Sequence, residues 1–220
     1  MRGRIASNVV WNWVGMAVTV LTGFVVAPYL VTRLGDTAYG LWILIASVSG
    51  YFGLLDLGVR GSVGRYVAFY RARDEHEEVN RSLSTSLMIL TGVAVLALLA
   101  TLLVLQVFFR IFEVPPEHIP VARTAILIIG INLALTFPIT VFDGVLWGFE
   151  RFDLLNMVDI PTALLRTGLT FALVHGPEDI AALAWITLIT TTGNELVKGV
   201  MSFAIERRLR VSVGRFSLVH

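Results

Sequence analysis

Long apolar runs alternate with short polar breaks along the whole chain, and the runs share one length. A bilayer core about 30 Å thick needs about 20 mostly apolar residues in helical form. Six segments meet that requirement: residues 5–31, 39–57, 83–109, 121–148, 154–174 and 180–205. The pattern predicts an all-α protein, a polytopic membrane bundle of about six transmembrane helices forming one unit over residues 1–220. A transmembrane β-barrel is excluded, because it would show stretches of about ten residues with alternating polarity rather than continuous apolar runs. Residues 59–70 are less apolar and read as helix continuing into the interface, and the charged stretch 71–81, RARDEHEEVNR, reads as the long polar loop. Pro115, Pro116 and Pro120 mark a turn before the fourth segment, and His175-Gly176-Pro177 marks one before the sixth. No repeat of about 20–50 residues is visible, which sets aside solenoids and propellers.

The N-terminus, Met1 to Arg4, is short and basic, as in a secretory signal. The apolar run behind it is too long for a cleaved signal and no small-residue cleavage pattern closes it, so it reads as an uncleaved first span.

Composition supports a membrane body rather than a soluble domain with one anchor. The chain is 56% hydrophobic and 15% charged, with a mean hydropathy of +0.78, where a soluble domain carries about 25% charged residues. The absence of cysteine removes disulfides, thiol nucleophiles and thiolate metal sites. A net charge of +1 gives no electrostatic footprint for nucleic acid.

The arginines set an orientation, because cytoplasmic loops carry the excess of basic residues. With the N-terminus inside, the cytoplasmic side receives twelve: Arg2, Arg4, Arg60, Arg65, Arg71, Arg73, Arg81, Arg151, Arg207, Arg208, Arg210 and Arg215. The outside receives three, Arg33, Arg110 and Arg123. An even number of spans places both termini in the cytoplasm, so the charge bias and the helix count agree on a multi-pass protein of the cytoplasmic (inner) membrane.

Ionisable groups in the apolar runs are the candidates for function, since each costs at least about 2.5 kcal/mol at mid-bilayer unless it faces a bundle interior or a wet cavity. They are Asp56, Asp143, Asp159, Arg166, Glu195 and Lys198. Glu195 and Lys198 are three apart and share a helix face; they form either a self-neutralising pair near the helix end or a cavity-lining pair that meets substrate. Asp159 and Arg166 are seven apart on one face with Pro161 between them, and a proline there frees a backbone carbonyl and bends the helix, as in discontinuous transporter helices. A guanidinium fork suits an anionic substrate, and the alternative is an ion pair of Arg166 with Asp159, Asp143 or Glu195. Asp56 reads as an interfacial partner of Arg60 or Arg65, and Asp143 as a structural or a gating group. Asn8, Asn12 and Asn132 read as helix–helix hydrogen bonders. Gly50, Gly53 and Gly58 read as packing or bending points. Trp11, Trp13, Trp42, Trp147 and Trp185 read mostly as interfacial anchors.

Motifs of soluble chemistry are missing: no Walker loop, no H-E-x-x-H, no G-x-S-x-G and no G-x-G-x-x-G. His76, His118, His175 and His220 are scattered, so no metal site, cofactor or enzymatic activity is expected.

Three stretches carry a family resemblance: NVVWNWVGMAVTVLTGFVVAPYLVTRLGDTAYGLW, SGYFGLLDLGVRGSVGRYVAFYRARDEHEEVNRSLSTSL and PITVFDGVLWGFERFDLLN. In order and spacing the chain resembles the O-antigen and exopolysaccharide repeat-unit flippases of the MATE-like multidrug/oligosaccharidyl-lipid/polysaccharide exporter superfamily. That resemblance implies transport without chemistry, moving an undecaprenyl-pyrophosphate-linked oligosaccharide between leaflets by alternating access through a cationic cavity. By position in the helices it implies Arg166 and Lys198 as substrate contacts, and Asp159, Glu195, Asp143 and Asp56 as coupling or charge-balancing groups. Such flippases have twelve to fourteen helices in two homologous bundles, so this chain resembles the N-terminal bundle, with a second half-transporter chain or polysaccharide assembly proteins as expected partners beside the bilayer and the lipid-linked oligosaccharide. Two other functions remain in view: a multidrug or cation exporter of the same superfamily, and a non-transporting membrane scaffold in polysaccharide assembly.

Overall fold

The computed structural model describes residues 2–52 and 58–210. Among them the chain forms α1 (Arg2–Phe52), α2 (Val59–Arg71), α3 (His76–Ile111), α4 (Ile119–Ile139), α5 (Val141–Gly148), α6 (Phe152–Leu173) and α7 (Ile180–Ile205). Single 3-10 turns, Pro116–His118 and Pro177–Asp179, lead into α4 and α7. The protein is a multi-pass helical membrane bundle. Four stretches are long and apolar enough to cross a bilayer: Asn8–Ser47, His76–Ile111, Pro116–Gly148 and Pro177–Ile205. The helix α6 covers the predicted fifth segment over 22 residues but is not among the four; it carries Asp159 and Arg166.

The helix boundaries differ from the predicted ones in four places, each with a physical cause. The first two segments are joined by a kink, not a loop. Gly35 stands at φ 74° and ψ 168°, with helix on either side. That backbone region is open almost solely to glycine, so the chain changes direction there without leaving the helical path for more than one residue. Of the element's 51 residues, which would run about 75 Å as a straight helix, the kink makes two arms of bilayer scale. Next, α2 is set off at its start by Gly58, left-handed at φ 74°, and is an element in its own right. Third, α3 begins at His76 inside the predicted charged loop, where Glu77 and Glu78 occupy the first turn and are favoured by the positive end of the helix dipole. Last, the predicted fourth segment divides at Thr140 into α4 and α5. Pro138 lies two residues earlier and brings no N–H to the helix ladder.

Among the described residues three apolar clusters hold the elements together, the smallest of them Ala94 and Ala97 of α3 with Phe137 of α4; the other two are larger. In one, Leu34, Leu41 and Ile45 of α1 pack with Ala125 and Ile129 of α4 and with Leu183 and Ile186 of α7. Trp42 belongs to this core at 7% exposure, so it is a packing residue, unlike Trp13, Trp147 and Trp185, which are exposed. In the other, Val63 and Val67 of α2 meet Leu83 and Leu90 of α3 and Val141 and Val145 of α5. Close approach is bought with small residues, as between membrane helices generally. A methyl group added at Gly148 would sit 2.6 Å from Val67 Cγ1 and 2.9 Å from the Gly64 carbonyl oxygen, and one at Gly130 would collide with the Thr101 side chain.

The expected asparagine contacts are present. Asn8 donates to the Glu150 carbonyl (3.2 Å), and Asn156 donates to Asn12 (3.2 Å), tying the start of α1 to α6. Asn132 of α4 donates to Thr191 of α7. At the other end of the α1–α6 contact, the Tyr29 hydroxyl donates to the carbonyls of Val174 (2.7 Å) and Phe171 (3.1 Å).

Candidate functional site

The two cations in the predicted fifth and sixth segments have opposite surroundings: Lys198 is buried and Arg166 is exposed. Lys198 lies on α7, one turn after Glu195, and is 5% exposed. Three carboxylates converge on its ammonium: Asp159 Oδ1 at 2.9 Å, Asp143 Oδ2 at 3.4 Å and Glu195 Oε1 at 3.6 Å. Each acid comes from a different local cause. Glu195 shares the α7 face at i−3. Asp143 stands in the first turn of α5, a turn that exists because the helix breaks at Thr140. Asp159 lies on α6, two residues before Pro161. The cluster is extended by Asn194, which donates to Asp159 Oδ1 (3.0 Å) and to Thr162 Oγ1 (3.1 Å). Closure from the next turn of α7 comes from Ser202, whose hydroxyl donates to the Phe142 carbonyl (3.1 Å).

One ammonium among three carboxylates satisfies the requirement that a buried charge be paired, and removing one partner of such a group typically costs about 3–5 kcal/mol. The sequence made the Glu195–Lys198 pair visible. It did not show that Asp143 and Asp159 join the same lysine from two other helices.

Arg166 lies on α6 two turns beyond Asp159, and the alternative that it pairs with Asp159, Asp143 or Glu195 is not realised. Those carboxylates turn to Lys198. Among the described residues Arg166 makes no ion pair, and its Nη2 donates to Thr187 Oγ1 at 3.2 Å. Its guanidinium opens into a cavity of about 450 Å³ between α1, α6 and α7. Seven threonines line that cavity: Thr19 and Thr22 from α1, Thr162, Thr167 and Thr170 from α6, and Thr190 and Thr191 from α7. Tyr39 and Trp42 supply an aromatic wall beyond the Gly35 kink. Lys198 does not line it. The threonines are what reasoning from the sequence missed. Their signal was the spacing, three on one stretch of α6 and the run ITTTGN on α7, which stacks hydroxyls on the faces turned toward α1.

Asp56 lies outside the described residues.

Arg166 and its hydroxyl-lined cavity therefore form the candidate binding site, and the Lys198 cluster forms a charged hub one helical turn away, with Asn194 joining the two through Asp159 and Thr162.

Comparison with known proteins places the sequence in a family. Over 153 residues the chain is 25% identical to the "Putative O-antigen transporter" of Shigella flexneri, covering 70% of this chain and 36% of that protein. Over 200 residues it is 24% identical to the "Uncharacterized membrane protein EpsK" of Bacillus subtilis strain 168, covering 90% of this chain and 39% of that protein. The chain thus spans less than half the length of the curated relatives it matches. No solved structure matches it. The family described as "Polysaccharide biosynthesis protein" matches over residues 5–217, nearly the whole sequence, and the chain belongs to that family.

Proposed function

We propose that this chain is the first helical bundle of a membrane transporter that carries a lipid-linked oligosaccharide, the repeat unit of a polysaccharide, across the cytoplasmic membrane by alternating access, with both ends of the bundle in the cytoplasm. The observation that carries this reading is the Arg166 cavity. A guanidinium with no ion pair among the described residues is costly in a membrane helix, and Arg166 stands exposed at a cavity whose hydroxyl groups can receive a polar, anionic ligand. Substrate contact is assigned to Arg166. Lys198 has its charge matched by three carboxylates, so charge balance is its role. Asp159, whose side chain is 46% exposed while it touches Lys198, is the acid best placed to exchange an ion or proton with water, and Glu195 and Asp143 support it. The remaining bundle of a two-bundle carrier is the expected partner.

A drug exporter for organic cations fits less well. The acidic groups that would attract such a cation are engaged on Lys198, and the charged group facing the cavity is itself positive. A scaffold role gives no reason for a cavity with a cation in it.

The test is export of glycan to the cell surface in a strain that depends on this protein. Arg166→Ala should reduce surface glycan by about 10-fold or more, the scale of one charge-assisted hydrogen bond lost at about 1.5–3 kcal/mol, while the amount of protein in the membrane stays the same. Unchanged export in that variant would remove the assignment.

A further inference from the structure

We infer that the Arg166 cavity is built to receive hydrogen-bond donors, so that its ligand is a hydroxyl-rich sugar unit carrying one acidic group, and the phosphate groups of a lipid carrier bind outside it. The inference rests on the transport reading above and narrows what that site takes.

A threonine hydroxyl has one proton to give and two lone pairs to offer. Every threonine lining the cavity spends its proton on its own helix. Thr19 donates to the Gly15 carbonyl (2.9 Å) and Thr22 to that of Val18 (2.8 Å) on α1. On α6, Thr162, Thr167 and Thr170 donate to Val158 (2.8 Å), Ala163 (2.9 Å) and Arg166 (2.8 Å). On α7, Thr190 donates to Ile186 (2.6 Å) and Thr191 to Thr187 (2.7 Å). What the walls present to the cavity is therefore acceptor lone pairs. Two of the seven already act that way: Thr162 accepts from Asn194 at 3.1 Å, and Thr191 accepts from Asn132. The acceptors of Thr19, Thr22, Thr167, Thr170 and Thr190 remain for a ligand.

Arg166 is the counterpart. It brings a fork of N–H donors and no acceptor, with one nitrogen on Thr187. A ligand that fits must be rich in donors around most of its surface and anionic at one point. Sugar hydroxyls and acetamido N–H groups are such donors, and a sugar carboxylate matches the planar guanidinium. Tyr39 and Trp42 give a ring face an apolar surface to lie on. The volume, about 450 Å³, falls within the roughly 300–1,000 Å³ of small-molecule sites and suits a short saccharide. A pyrophosphate is the opposite kind of ligand. Its oxygens only accept, it carries more than one charge, and against a wall of lone pairs with one cation most of its surface would stay unsatisfied.

The experiment uses the full chain in lipid nanodiscs, with tryptophan fluorescence as the readout since Trp42 lines the cavity. Three probes are titrated: a uronic-acid disaccharide, the same disaccharide with its carboxyl reduced to an alcohol, and inorganic pyrophosphate. The acidic disaccharide should bind about 10-fold tighter than the neutral one, the worth of one charge-assisted contact, and pyrophosphate should bind most weakly. Arg166→Gln should bring the acidic sugar down to the neutral level. The double variant Thr22→Val with Thr167→Val should weaken both sugars by about 5- to 30-fold, the worth of two lost neutral hydrogen bonds, and the corresponding Thr→Ser changes should restore them, which separates lost acceptors from lost folding. If pyrophosphate binds tightest and Arg166→Gln abolishes it, this inference fails and the transport reading stands. If the valine variant binds sugar normally, the acceptor wall is not used and the inference fails too. If none of the three probes binds the unmodified protein, both the inference and the site assignment fail.

Discussion

Lys198 and Arg166 belong to neighbouring helices of one bundle, one buried and the other exposed at a cavity, and the protein treats them in opposite ways. Lys198 is surrounded by carboxylates at 2.9 Å, 3.4 Å and 3.6 Å, more acid than its charge requires. Arg166 has a single hydroxyl partner at 3.2 Å and looks into a cavity. The difference teaches that a charge in a membrane helix has to be read by what the fold gives it. A cation that is fully matched at home is part of the frame, and one that is left with open donors is waiting for something to arrive.

The comparison can be broken most forcefully at Lys198. Lys198→Met should leave three carboxylates without their cation, two of them largely buried, and cost about 3–5 kcal/mol, seen as a large drop in melting temperature in detergent and in membrane yield. Adding Asp143→Asn to that variant should recover part of the loss, because one of the stranded charges is removed. The next effect in size is at Asn194, which hydrogen-bonds to Asp159 of the hub and to Thr162 of the cavity. Asn194→Leu should cost about 1.5–3 kcal/mol, since it strips a hydrogen bond from the Asp159 carboxylate, and should weaken export as well. Thr22→Val should change stability by less than about 0.5 kcal/mol, within the range of substitutions away from the core, because Thr22 is only half-buried. A chemical-denaturation series would place these in order. A control of similarly small effect lies at the turn before α6. Arg151 and Asp153 form a forked pair, Nε to Oδ1 and Nη2 to Oδ2 both at 3.0 Å, with side chains 36% and 39% exposed. Arg151→Ala should cost at most about 1 kcal/mol, as exposed pairs do. A cost there as large as at Lys198 would remove the distinction between a buried hub and a surface pair.

Much of the architecture was legible because apolar run length is a direct consequence of bilayer thickness, and among the described residues the predicted segments fall largely on helix, the fourth divided at Thr140. The joints were less legible. A glycine such as Gly35 can end a helix or kink it, and only its positive φ with helix on both sides decides. Residues 76–81 read as loop by charge, yet their acids suit a helix start. Among the candidate residues, Glu195 and Lys198 could be paired from spacing alone. Asp143 and Asp159 could not be assigned to Lys198, because that contact depends on how α5 and α6 pack on α7. The natural guess from spacing, Asp159 with Arg166, fails for the same reason. The cavity was the least visible feature. Threonines that bond back to their own helix are common and carry no signal individually, and seven of them matter here only because three helices turn them toward one space.

The claim that Arg166 is held for a ligand and Lys198 for the frame is tested most directly by measuring surface glycan per unit of folded protein in cells carrying Arg166→Gln. The account predicts a loss of about 10-fold or more at an unchanged melting temperature. Full export, or a loss of export that tracks a lowered melting temperature, would contradict it.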